Sequence, residues 1–216
     1  MALLHLGILG GFSGKLGNVV GFYRKGQFFI RQAPARSSKP PTEKQLAQRA
    51  RFAEVMRVLK PQCKLLGITM GKKHQSATGF NLGVQHALKH AFDAGGHLDY
   101  ARLRFSQGRL ARPYPLAVWR DSGMLRVEWS THYCDELGQA GAMGILVYDP
   151  KGHQYYCAGR MLPRSLGYAF ISLPGEALDR GLHIYLFAAA EAGPALFSDS
   201  VHTFLPAREG GVLCGA

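Results

Sequence analysis

From Pro115 onward the chain is divided into seven short β-prone runs, and that spacing leaves few architectures open. The runs are Leu116–Trp119, Leu125–Trp129, Met143–Tyr148, Gln154–Cys157, Tyr168–Leu173, Leu182–Ala190 and Ser198–Phe204. Turn signals separate them: Asp121-Ser-Gly123, Asp149-Pro-Lys-Gly152, Pro174-Gly175 and Ala192-Gly-Pro194. Leu125, Val127 and Trp129 alternate with Arg126 and Glu128, the pattern of a strand with one buried face. Seven such strands predict an immunoglobulin-like or fibronectin-III-like β-sandwich over residues 113–206, with Trp129 in its core.

The first forty residues have a different texture. Gly7, Gly10, Gly11, Gly14, Gly17 and Gly21 are interleaved with Ile8, Leu9, Phe12, Leu16, Val19 and Val20, a density that opposes helix and permits close backbone approach. Val19–Arg24 and Gln27–Arg31 flank a Lys25-Gly26 turn and predict a β-hairpin. Its arms carry aromatics at both parities, so neither face is plainly solvent-facing, and a lone hairpin is marginal in water. The expectation is a glycine-rich arm and hairpin over residues 1–40 that must dock on something.

Residues 33–41 form a Pro/Ser-rich linker, after which Thr42 and Gln45 make a capping-box pattern at the start of a helix. Leu46, Ala50, Phe52, Ala53, Val55, Met56 and Leu59 supply its apolar positions, and Pro61 ends or kinks it. Further helices are expected over residues 62–68 and 80–92, the last with Phe80, Val84, Ala87, Leu88 and Phe92 on one side and Gly95-Gly96 beyond its end. Residues 41–112 are thus read as a basic helical region wrapped by the hairpin, and residues 207–216 as a flexible glycine-rich tail.

Charge is divided along the chain. Residues 1–115 carry 19 Lys and Arg against 4 Asp and Glu, whereas residues 116–216 carry 7 against 10. Excess positive charge confined to one half calls for an anionic partner or the acidic half of a neighbouring copy. Arg24, Lys25, Arg31, Arg36, Lys39, Arg49 and Arg51 are the candidate anion-binding residues. Several lie beside Phe22, Tyr23, Phe28 and Phe29, a mixture suited to phosphate neutralisation and base stacking. Lys72-Lys73-His74 and the set Arg102, Arg104, Arg109 and Arg112 are weaker, loop-like candidates.

Motifs for chemistry are few. Leu9 and Leu16 stand where a P-loop needs Gly and Ser/Thr around Gly14-Lys15, and there is no GxSxG or HExxH. His86 and His90, four apart on a predicted helix, are half a metal site without a nearby third ligand in sequence and read as a polar helix face. Cys63, Cys134, Cys157 and Cys214 contain no CxxC pair. They read as thiols in a reducing compartment, a Cys134–Cys157 bridge between neighbouring strands being the alternative. No enzyme activity, metal, cofactor or small-molecule substrate is expected. No apolar run approaches the roughly 20 residues of a membrane-spanning helix. The apolar start lacks the basic segment and cleavage pattern of a signal peptide. Cytoplasmic synthesis is expected, with an extracellular or particle-associated final location left open.

The stretch Gly7-Ile-Leu-Gly-Gly-Phe-Ser-Gly-Lys-Leu-Gly-Asn-Val-Val-Gly21, followed by the Lys25-Gly26 turn, Arg31, Lys39-Pro-Pro-Thr-Glu-Lys-Gln-Leu-Ala-Gln-Arg49 and Phe52, resembles a family of uncharacterised Bacteroidota proteins of about 200 residues. The resemblance covers roughly residues 7–60. This chain has Pro40-Pro41 where that family has Asn-Pro, a change that keeps the helix start. The resemblance implies no activity, cofactor or assigned site.

Together these features lead to the expectation of an α+β, non-enzymatic structural protein. It would self-assemble into a homo-oligomer or polymer (a filament, tube or shell, phage-derived particles included). Ile8, Phe12, Val19, Val20, Phe22, Phe28 and Ile30 are the expected contacts with a neighbouring copy. Non-specific nucleic-acid binding, alone or within the assembly, is the first alternative, and an adhesive or carbohydrate-binding module the second.

Overall fold

The computed structural model describes residues 3–4, 11–24, 26–35, 39–71, 78–121, 123–132, 140–158, 161–190 and 196–208. It is mixed α and β, and it divides into two compact units between Gln45 and Leu46. No helix among the described residues is long and apolar enough to cross a membrane.

The first unit is an antiparallel meander of β1 (Leu3–Leu4), β2 (Phe12–Leu16), β3 (Val19–Arg24) and β4 (Gln27–Gln32), in that spatial order. The expected hairpin is β3–β4, closed by a turn whose Gly26 takes φ +77°, a conformation glycine adopts without steric penalty. The arm before it does not stay apart: β2 pairs with β3, placing Gly14 opposite Gly21 and Leu16 opposite Val19. Gly21 permits this, because a Cβ there would run into the Phe12 carbonyl oxygen and ring.

The second unit begins within the first turn of α1 (Glu43–Leu59). The capping box forms as expected: Gln45 N–H donates to Thr42 Oγ1 at 3.4 Å, and Thr42 N–H donates to Gln45 Oε1 at 3.1 Å. A 3₁₀ turn at Lys60–Gln62 holds Pro61 and leads into α2 (Cys63–Thr69). Helix α3 (Gly79–His90) starts at Thr78, whose side chain accepts from Asn81 N–H.

The β-prone runs become strands with small shifts at their ends. A three-stranded sheet has the order β10 (Tyr168–Ser172), β6 (Met124–Trp129), β5 (Pro115–Asp121). A second sheet has the order β12 (Val201–Leu205), β11 (Leu182–Ala190), β7 (Ala140–Asp149), β8 (Gln154–Cys157). A two-residue strand, β9 (Leu162–Pro163), also pairs with β7 and was absent from the sequence reading because it is so short. The short helix α4 (Gly175–Leu178) precedes β11.

One apolar cluster lies between the two sheets. Leu125, Val127 and Trp129 of β6 and Ala169 and Ile171 of β10 meet Met143, Ile145 and Val147 of β7 and Ile184, Leu186 and Ala188 of β11. Each large aliphatic side chain buried there contributes about 1.5–3 kcal/mol. Trp129 Nε1 donates to the Arg164 carbonyl at 2.9 Å, so its one polar atom is satisfied inside the core.

The helices occupy a place the sequence did not indicate. A second cluster joins Val55, Val58 and Leu59 of α1, Leu66 of α2, and Val84 and Ala87 of α3 to Leu146, Tyr148 and Tyr185, which point away from the inter-sheet core. Tyr155 Oη donates to the Val58 carbonyl at 2.8 Å, tying β8 to the end of α1. Residues 46–208 therefore form layers of helix, sheet and sheet, rather than a helical region beside a free sandwich. Strand β11 is covered on both faces, which explains the apolar run from Ile184 to Ala190.

The apolar stripe read along α1 is only partly used. Val55, Val58 and Leu59 are buried, whereas Leu46 and Phe52 remain exposed, because the helix meets the sheet only through its C-terminal half. Cys63 and Cys157 carry free, exposed thiols, so Cys157 is not bridged; Cys134 and Cys214 lie outside the described residues.

Candidate functional site

The N-terminal meander is the candidate association surface, and strand parity decides what each face shows. The register Tyr23↔Phe28 and Gly21↔Ile30, with Gly14↔Gly21 on the other side, places Phe12, Leu16, Val19, Tyr23, Phe28 and Ile30 on one face. Phe28 meets Phe12 edge-on at 5.8 Å and Tyr23 at 5.2 Å between ring centroids. On the opposite face Phe22 stacks on Phe29 at 5.6 Å, and the Arg31 guanidinium lies 5.8 Å from the Phe22 centroid. Lys15, Val20 and Arg24 share that second face by the same register.

These aromatic contacts do not close the sheet off from solvent. Leu16 is 59 % and Ile30 58 % exposed, with Tyr23 at 42 % and Phe29 at 40 %. Strand β4 ends the sheet and pairs, among the described residues, only with β3. Among the described residues, no strand pairs with its outer row of backbone groups.

Of the expected contact residues, Phe12, Val19, Phe28 and Ile30 gather on one face and Val20 and Phe22 on the other; Ile8 lies outside the described residues. Leu16, Tyr23 and Phe29 were not among the expected contacts, although they are exposed as Ile30 is. Only pairing across strands tells which members of an apolar run are left uncovered.

The expected anion-binding residues are divided between the two units. Arg24 and Arg31 share the second face of the meander, and Lys39 is exposed in the linker. Arg49 and Arg51 belong to α1 in the other unit, where Arg51 lies 5.3 Å from the Phe92 ring centroid. Lys25 and Arg36 lie outside the described residues.

Two weaker candidates are instead brought together. His86 and His90 of α3, 4.9 Å apart between ring centroids, line a cleft of about 510 Å³ with Arg102, Arg104 and Ser200. Among the described residues, no third His, Cys, Asp or Glu joins the two histidines to hold a metal ion. Burial first, and then the positive charges of Arg104 and His90, push the His86 imidazole below its ordinary pKa, while Asp199 acts in the opposite direction.

No curated protein and no solved structure matches the chain. A family profile covers residues 11–202, which takes in the meander from β2 onward together with the helices and nearly all of the other two sheets, and the chain therefore belongs to that family, a family of unknown function (DUF6266).

Proposed function

We propose that this protein is a non-enzymatic structural subunit that self-associates into a repetitive assembly through its N-terminal meander. The observation that carries the reading is the meander's exposed apolar side chains on both faces combined with the open edge of β4. Strand addition to an open edge supplies backbone hydrogen bonds, and alternate side chains supply register. When such a contact joins unlike surfaces it need not close, and copies then propagate into a filament, tube or shell. The orders β10-β6-β5 and β12-β11-β7-β8 support reading residues 113–206 as an immunoglobulin- or fibronectin-III-like sandwich that forms the body of the subunit. Sedimentation velocity and negative-stain microscopy over a concentration series test the proposal. Large species that grow with concentration support it, and a monomer at every concentration refutes it.

A second reading, glycan binding, draws on the outer face of the three-stranded sheet. There Arg126 sits 5.0 Å from the Trp119 ring centroid, 5.2 Å from Tyr168 and 5.4 Å from Phe170. An aromatic face beside the Arg126–Glu128 ion pair (2.7 Å) suits stacking and hydrogen bonding to a sugar ring. Retention on polysaccharide columns, abolished by Trp119→Ala, would favour this reading. Nucleic-acid binding rests on Arg24 and Arg31, which share one face of the meander with Phe22 and Phe29.

A further inference from the structure

We propose that the cleft between α3 and the segment 101–104 binds a phosphate-type oxyanion, either free phosphate or the phosphate group of a small ester. Side chains from three separate parts of the chain converge there: His86 and His90 from α3, Arg102 and Arg104 from the segment after the third helix, and Ser200 just before β12. All are donors or can become donors, and no carboxylate is among the residues lining the cleft.

The nearby acids do not consume this capacity. Asp199 Oδ2 is 2.6 Å from Arg112 Nη2, and its Oδ1 accepts from Gly108 N–H at 3.2 Å. Arg104 approaches Asp199 only to 3.6 Å, a charge contact too long for a hydrogen bond, so its guanidinium donors remain available. Arg102 pairs with Asp99 at 3.1 Å, but both side chains are substantially exposed, and such pairs exchange readily for a better acceptor. His86 Nδ1 is buried with no hydrogen-bond partner among the described residues. In these ion pairs Arg102, Arg104 and Arg112 face Asp99 and Asp199, which leaves an excess of positive charge beside the cavity.

The chemistry of this donor set selects its ligand. Paired arginines suit bidentate contact with a tetrahedral oxyanion, and flanking imidazoles and a hydroxyl supply single donors. A volume of about 510 Å³ exceeds what one phosphate fills and leaves room for the organic part of a sugar phosphate.

Titration of the whole chain with inorganic phosphate and, separately, with ribose 5-phosphate tests the inference, with binding read by calorimetry and by the imidazole resonances of His86 and His90. Saturable binding that shifts both rings is expected. Arg104→Gln should weaken it by about tenfold or more, as loss of one charge-assisted bond implies. Arg208→Gln, beyond the far end of β12, should leave affinity within about twofold, the scatter expected when no bond is lost. His90→Gln, on an exposed ring, provides a second reading if Arg104→Gln perturbs folding. Tighter binding of the sugar phosphate identifies an ester as the ligand, and equal binding identifies free phosphate. Failure of both probes to saturate, or binding that survives both Arg104→Gln and His90→Gln, overturns the inference.

Discussion

His183 Nδ1 and His202 Nε2 stand 2.9 Å apart on adjacent strands of the five-stranded sheet, so one ring must donate the shared hydrogen and the other accept it. Two imidazolium ions cannot hold that contact. Burial and the charge on His202 push the His183 imidazole down to about 4, and burial lowers His202 as well.

The sign of the pH effect follows. Unfolded histidines take up protons near pH 6.5, while the folded pair stays neutral, so the unfolded state gains as pH falls. Stability should be full above pH 6.5 and should decline towards pH 4. The loss is at most about 2 kcal/mol once solvent screening of these half-buried rings is allowed for. Urea midpoints at pH 7.5 and 4.5 measure it, and a His183→Asn variant should flatten the difference. An unchanged midpoint would remove the pair as a source of acid sensitivity.

The association surface makes a separate demand. Ile30→Glu and Phe29→Glu each place a charge on an exposed apolar site of the meander, one on each face. Both should abolish large assemblies while shifting thermal stability by less than about 0.5 kcal/mol, the usual range for exposed substitutions. Sedimentation velocity reads the first effect and calorimetry the second. Persistence of assemblies in the double variant would place the contact elsewhere.

Gly21→Val should act on the same surface by another route. Its side chain would collide with the Phe12 backbone and ring, so β2 would be forced off β3. Protease should then cut within residues 11–18 of the variant at concentrations that spare the parent chain, while unfolding of the larger unit is unchanged.

The tie between helix and sheet gives a fourth expectation. Tyr155→Phe deletes only the hydroxyl that donates to the Val58 carbonyl and should cost about 1 kcal/mol. Burial pushes the Tyr155 hydroxyl well above its ordinary pKa, with nearby tyrosines adding to the effect, so it should also resist ionisation on alkaline titration when exposed tyrosines do not. Chemical denaturation and ultraviolet difference spectra check the two statements.

Trp129→Phe keeps most of the apolar volume of the inter-sheet core but leaves the Arg164 carbonyl without its indole donor. A loss of about 1–3 kcal/mol is expected, measured as a lower denaturant midpoint with unchanged slope.

Local pattern was enough for most of the longer elements, though not for β9 or α4. Thr42 and Gln45 announced α1, the alternation around Val127 announced β6, and Gln154–Cys157 emerged as a strand with the expected limits, because caps and period-2 burial are written within a few neighbouring residues. The candidate sites were less legible. Arg49 and Arg51 are candidates alongside Arg24 and Arg31 only because all lie in the basic first half of the chain, and they belong to the other unit. Arg102 and Arg104 looked like loose loop charges until α3 was placed beside them.

Sequence alone thus determined the β-rich second half, the capped helix, the hairpin and the uneven charge, all properties of contiguous residues. Only the tertiary structure decided that β2 folds back onto β3, that the helices cover the outer face of the five-stranded sheet, and that His86, His90, Arg102, Arg104 and Ser200 share a cleft. Those outcomes depend on contacts between residues far apart along the chain, whose free energy arises from burial and register that no local window contains.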